Sequence, residues 1–260
     1  PFGVLCFQWL LKGYYIQFLD DETFEDFEKI IKEEIIEICC GYCNCDIYDV
    51  PEIAREFLSR VDKESPKDNR HKIGYIGELL YYVFAKYKFP FLKPINPMMN
   101  LEERSFKKGF DMLSVEDGNI WYSEVKSGEI SIPIPTLLNK MNIDKLNSAY
   151  SDISSKLDGT DKNTNYWTTA KSKLRLCTND SSEISNLAKV LDSDMRLPKV
   201  KNKIIVSVIF GKTIEQIDEK KIVKKLEQFR KKDEKLIIVC IRENTIKRTL
   251  SIIRGMCNNE

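Results

Sequence analysis

KGFDMLSVEDGNIWYSEVKSG, residues 108–128, is the stretch from which the rest of the chain can be read. Asp117-Gly118 divides it into two apolar-rich runs. A two-residue type I′ hairpin turn needs positive φ at both central residues, and Asp-Gly supplies them at little cost. Counting outward from that turn sets the register: Val115 faces Ile120, Leu113 faces Tyr122, and Asp111 faces Glu124. Lys126, two residues beyond Glu124, shares their side of the sheet because side chains alternate along a strand. Cβ atoms of directly opposed residues lie about 4.5–5.5 Å apart, so two carboxylates there destabilise each other unless something offsets them. A divalent cation bridging Asp111 and Glu124 would do so, and the turn chemistry therefore asks for a metal at one end of the hairpin.

Upstream, Ile73, Ile76, Leu80, Val83, Phe84 and Tyr87 form an apolar stripe at helical spacing, so a helix is expected from Ile73 to Tyr87. Glu78 lies beside the stripe, directly after Gly77. Most helical glutamates are plain surface groups. Yet Gly74 and Gly77 each lower helix propensity by about 1 kcal/mol, which close approach to a sheet or to a bound backbone would explain. Earlier still, Val4–Leu19 reads as one or two strands, while Asp21–Ile38 and Glu52–Val61 read as amphipathic helices. Residues 1–64 are taken as an N-terminal accessory region, and Lys63–His71, polar and containing Pro66, as the linker at its boundary. Phe89–Pro97 holds three prolines and reads as irregular.

Downstream of the hairpin, Ser131–Pro135 is extended, Leu137–Leu157 helical, and Gly159–Lys171 a polar loop around Tyr166 and Trp167. A short helix is expected over Glu183–Leu191. Lys203–Gly211 and Lys235–Arg242 are β-branched runs suited to buried strands, joined by a lysine-rich helix from Thr213 to Lys232. The pattern is α/β: a mixed sheet with helices on both faces. The lysine-rich face of the joining helix reads as solvated surface rather than a nucleic-acid contact.

A hydrophobic content of 42% in 260 residues suffices for a substantial core, and the net charge of +1 gives no global reason to expect a polyanion. The opening segment lacks a signal-peptide pattern and is too interrupted by Gln8, Lys12 and Gln17 to span a bilayer. The eight cysteines are therefore read as reduced thiols of a cytoplasmic protein with no membrane partner. Cys40 and Cys43 have the spacing of half a zinc site, but neither a second C-x-x-C nor a nearby histidine completes it. Cys39, Cys40, Cys43 and Cys45 read instead as a cysteine-rich helix end.

A helix carrying Glu78, then a hairpin carrying Asp111 and Glu124-Val125-Lys126, then helix, strand, helix and strand resembles the PD-(D/E)xK nuclease superfamily. Gly109-Phe110 stand before Asp111 in place of the usual proline. More narrowly, Gly-Glu-Leu-Leu at 77–80, Gly-Phe-Asp at 109–111 and Glu-Val-Lys at 124–126 resemble the nuclease subunit of bacterial Hachiman antiphage systems. The resemblance is best over Pro51–Leu157. It implies a restriction-endonuclease-like core within residues 65–260 and catalytic roles for Glu78, Asp111, Glu124 and Lys126. It also implies Mg²⁺ or Mn²⁺ held by Asp111, Glu124, the Val125 carbonyl and Glu78, with DNA as substrate and a superfamily-two helicase subunit as partner. A stand-alone restriction-type endonuclease and an idle nuclease-fold binding module are the competing expectations.

Overall fold

Hydrogen bonding across the central hairpin extends into a six-stranded mixed sheet. The computed structural model describes residues 13–63, 69–100, 105–106, 109–131, 137–160, 165–196, 201–212, 215–232 and 235–258. Its strands are β1 (Tyr14–Leu19), β2 (Lys93–Pro94), β3 (Met99–Asn100), β4 (Ser105–Phe106), β5 (Met112–Glu116), β6 (Asn119–Glu129), β7 (Asn202–Phe210) and β8 (Leu236–Glu243). The large sheet has the order β1-β8-β7-β6-β5-β2, while β3 and β4 form a separate pair. β1, β8, β7 and β6 run parallel, and β5 and β2 add antiparallel.

The helices are α1 (Asp21–Cys40), α2 (Val50–Lys63), α3 (Arg70–Lys88), α4 (Leu137–Leu157), α5 (Asn165–Cys177), α6 (Ser181–Arg196), α7 (Glu219–Arg230) and α8 (Ile246–Gly255). Every residue of β7 is buried, as expected of a strand covered on both faces. Its side chains alternate between two cores. Ile204, Val206, Val208 and Phe210 meet α1, α2, α3 and α8, whereas Ile205 and Ile209 meet the helices α4 to α7. β6 follows the same rule: Val125 joins the first core and Ile120 and Tyr122 the second. Helices therefore cover both faces of a mixed sheet, as the sequence pattern implies.

Residues 14–63 contribute the edge strand β1, aligned with β8 from Tyr14 beside Ile238 to Leu19 beside Glu243, and two helices of the first core. The rest of the strand expectation at Val4–Leu19 falls outside the described residues, as does most of Ser131–Pro135. Lys93-Pro94 supplies a short pairing with Ser114 and Val115 inside the segment read as irregular. Its proline sits at the sheet edge, where a missing N–H is tolerated. The expected loop over Gly159–Lys171 is corrected: α5 begins at Asn165, and Trp167, Ala170 and Leu174 are buried at helical spacing. Four apolar positions, Cys177 being the last, carry that periodicity, and the polar residues between them hide it. Cys39 and Cys40 are buried in the first core, while Cys43 and Cys45 are half-buried just past the end of α1. No helix among the described residues is long and apolar enough to cross a membrane.

Candidate active site

The hairpin turn forms with Asp117 at φ 49° and Gly118 at φ 75°, both in the left-handed region that an Asp-Gly type I′ turn requires. Pairing then runs Glu116 with Asn119, Val115 with Ile120, Leu113 with Tyr122 and Met112 with Ser123. Continued by one residue, that register sets Asp111 beside Glu124. β5 begins only at Met112, whereas β6 runs on to Glu129. In place of a strand partner, Val125 N–H donates to Asp111 Oδ2 at 2.7 Å. The N–H and C=O of one strand residue point to the same side, so the Val125 carbonyl also faces the gap where β5 has not begun.

Asp111 is fixed from the opposite face of the sheet as well. Tyr82 Oη donates to Asp111 O at 3.0 Å and lies 3.1 Å from Asn96 O. Asn96 Oδ1 accepts from Leu113 N–H at 2.7 Å, pinning the start of β5. Tyr81 Oη pairs with Ser123 Oγ at 2.9 Å. These contacts need α3 close to β6, and Gly77 permits it, since a Cβ there would lie 1.9 Å from Ser127 Oγ. Gly74 is different: a Cβ at that position meets nothing within 4 Å. Close approach to the sheet thus explains Gly77 only.

Glu124 is 2% exposed and carries two ammonium groups. Lys126 Nζ donates to Oε1 at 2.9 Å and Lys156 Nζ to Oε2 at 2.6 Å. Lys126 also pairs with Asp152 Oδ2 at 2.7 Å, and Lys156 donates to Gly109 O at 2.9 Å. The offset that the opposed carboxylates demand is supplied in this structure by lysines. Burial raises the Glu124 pKa and Asp111 raises it further, with Lys156 and Lys126 pulling it back only in part. Burial works against the Lys126 charge, but Glu124, Asp152 and Asp111 outweigh it and hold its pKa above that of an ordinary lysine. Lys126 is therefore a fixed cation in the neutral range rather than a proton acceptor.

Of the residues singled out from sequence, the structure brings Asp111, Glu124, Val125 and Lys126 together. Glu78 lies on α3, which packs on the other face of the sheet from Glu124 and Lys126. It is half-buried one turn before Tyr82, whose phenol pKa is raised by burial and then by the charge of Glu78. Among the described residues no three His, Cys, Asp or Glu side chains are arranged to hold a metal ion. The oxygen groups gathered at this position are the carboxylates of Asp111 and Glu124 and the Val125 carbonyl, and the described cysteines past α1 form no metal-holding group either. Sequence reasoning missed Asp152, Lys156, Tyr82 and Asn96. Asp152 and Lys156, four apart on α4, flank the apolar positions Ile153 and Leu157, the one local signal that they share a side facing β6. The basic helix α7 packs on β8 and β1, whereas α4 packs on β6 and β7. Lys220, Lys221 and Lys224 on α7 are exposed.

Fold and site define a mixed α/β protein with a buried carboxylate–lysine cluster at the open end of its central hairpin. The family model for HamA matches residues 8–253, nearly the whole chain. The protein belongs to the HamA family and is accordingly a component of a Hachiman antiviral defence system, which implies a partner. No curated protein and no solved structure matches the chain significantly.

Proposed function

We propose that the protein is a metal-dependent nuclease that hydrolyses phosphodiester bonds of DNA in antiphage defence, working with a superfamily-two helicase subunit. The observation that carries this function is Asp111 locked against Glu124-Val125-Lys126, its Oδ2 2.7 Å from Val125 N. Two carboxylates and a backbone carbonyl facing one gap are hard oxygen donors, and they fit Mg²⁺ or Mn²⁺. Asp111, Glu124 and the Val125 carbonyl would hold the ion; Glu78, on the opposite face of the sheet, is left out of its shell. Such an ion activates water and neutralises charge developing on a phosphate.

The chain's own groups do the positioning. Val125 N–H fixes the Asp111 carboxylate, and Tyr82 fixes the Asp111 backbone. Lys126 is 28% exposed at its side chain and tied to Asp152 and Glu124. It presents a permanent positive charge at the mouth of the cluster, suited to orienting water or steadying a phosphate. An exposed ion pair contributes little, about 0–1 kcal/mol. A buried one carries a desolvation cost, so keeping Glu124 charged and buried favours a chemical role over an idle salt bridge.

The test is cleavage of plasmid and linear DNA with Mg²⁺, with EDTA, and by Lys126→Ala and Asp111→Ala, each alone and with the helicase subunit. Metal-dependent cutting lost in both variants supports the assignment. Cutting retained by Asp111→Ala refutes it. Full activity without a helicase favours the stand-alone endonuclease. Inertness of wild type even with its partner leaves a binding module.

A further inference from the structure

We infer that Lys156 is the resident counter-cation of the site, and that its ammonium must leave Glu124 Oε2 before a divalent cation can bind there. The inference rests on the metal site proposed above and adds a residue that the hairpin motif does not contain. Lys156 Nζ sits 2.6 Å from Glu124 Oε2 and 2.9 Å from Gly109 O, with its side chain only 12% exposed. That places a positive charge against the carboxylate of Glu124 beside the segment that delivers Asp111. Asp111 also acts electrostatically on Lys156. An ammonium and a divalent cation on one carboxylate oxygen repel each other as like charges.

The two lysines on Glu124 are not equivalent. Lys126 has a second carboxylate, Asp152 Oδ2 at 2.7 Å. The other close polar contact of Lys156 is a neutral backbone carbonyl. Lys156 makes the shorter contact with Glu124, but it pairs with one carboxylate where Lys126 pairs with two, so its departure breaks fewer ion pairs and it is the one that yields. Its flexible four-carbon stem permits the move, and the Tyr166 ring, 5.5 Å from its Nζ, offers an aromatic face beside it. Lys156 is thus a positioning residue: it keeps the opposed carboxylates neutralised in the resting protein and couples loading of the site to its own release.

Mn²⁺ binding to the intact chain, measured by calorimetry for wild type, Lys156→Met and Asp111→Ala, tests this without any reading of activity. Lys156→Met should bind Mn²⁺ about tenfold or more tightly than wild type, because a competing positive charge has gone. Asp111→Ala should lose binding. Equal or weaker binding by Lys156→Met, with wild type binding normally, overturns the inference and leaves the metal site standing. Failure of both proteins to bind Mn²⁺ overturns the metal site and the inference together. Should Lys156→Met not fold, lysine ¹⁵N NMR of wild type decides. The buried Lys156 ammonium signal should shift or vanish into solvent exchange as Mg²⁺ is added, ahead of Lys126. A Lys156 signal that stays fixed at saturating Mg²⁺ overturns the inference.

Discussion

Gly77→Ala tests how α3 is seated on the sheet, and with it the placement of Tyr81 and Tyr82. The new Cβ would lie 1.9 Å from Ser127 Oγ, 2.9 Å from Ser127 Cβ and 3.4 Å from Val208 Cβ. Ser127 Oγ is buried without a hydrogen-bond partner, so rotating it away breaks no bond. The Cβ contact cannot be relieved by rotation, and α3 must move outward by some tenths of an ångström. Overpacking of this kind costs about 1–3 kcal/mol, against a helix-propensity gain of about 1 kcal/mol. The expected net loss is about 0–2 kcal/mol. Ser127→Gly removes both clashing atoms and by itself costs about 0.5–1 kcal/mol of strand stability. In that background Gly77→Ala should instead stabilise, by about 1 kcal/mol, since only helix propensity remains. Urea unfolding of the four proteins closes the cycle, with an expected coupling of about 1–3 kcal/mol. Additivity within about 0.5 kcal/mol would show that α3 does not rest on Ser127 and would sink the argument.

Gly118→Ala should cost about 1–2 kcal/mol in urea unfolding through backbone conformation alone, because its φ is 75° and the added Cβ meets nothing within 4 Å; an unchanged midpoint would contradict the turn. Tyr82→Phe leaves Asp111 O and Asn96 O without their shared donor and should lose about 1–2 kcal/mol of stability. It should also depress DNA cleavage by displacing Asp111, and wild-type cleavage rates would show that the tyrosine does not position the carboxylate. Burial pushes the Cys240 thiol from 9.0 up to about 12. The unfolded chain therefore ionises this thiol first, and its contribution is intact below about pH 9 and falls as pH rises towards 12. Between about pH 8 and pH 10, wild type should lose about 1 kcal/mol more stability than Cys240→Ser; parallel losses would show that the thiol titrates normally.

What the chain declares locally, it declares well. The register of β5 on β6 follows from Asp117-Gly118 and the two-residue period of a strand, both fixed within about twenty residues. α3 and α4 follow from apolar stripes long enough to outweigh Gly74 and Gly77. α5 was hidden because its buried apolar face is only Trp167, Ala170, Leu174 and Cys177 set among polar residues, and no window of sequence shows that Phe110 and Tyr122 receive the tryptophan ring. The two glycines of α3 look alike in sequence, and only the distance to Ser127 separates a packing glycine from one facing open space.

The sequence by itself determined the hairpin, the opposition of Asp111 and Glu124, the shared side of Lys126 and the helices on both faces of a mixed sheet. These depend on turn chemistry and side-chain periodicity, which act between near neighbours. Only the tertiary structure decided that β1 closes the sheet against β8, more than two hundred residues away, and that Tyr82 reaches through from the opposite face to hold Asp111. It alone brought Lys156 onto Glu124, thirty-two residues apart in the chain. The carboxylates required a positive charge, but which one met them depended on how α4 settles on β6, and packing between distant elements leaves no periodic trace in sequence.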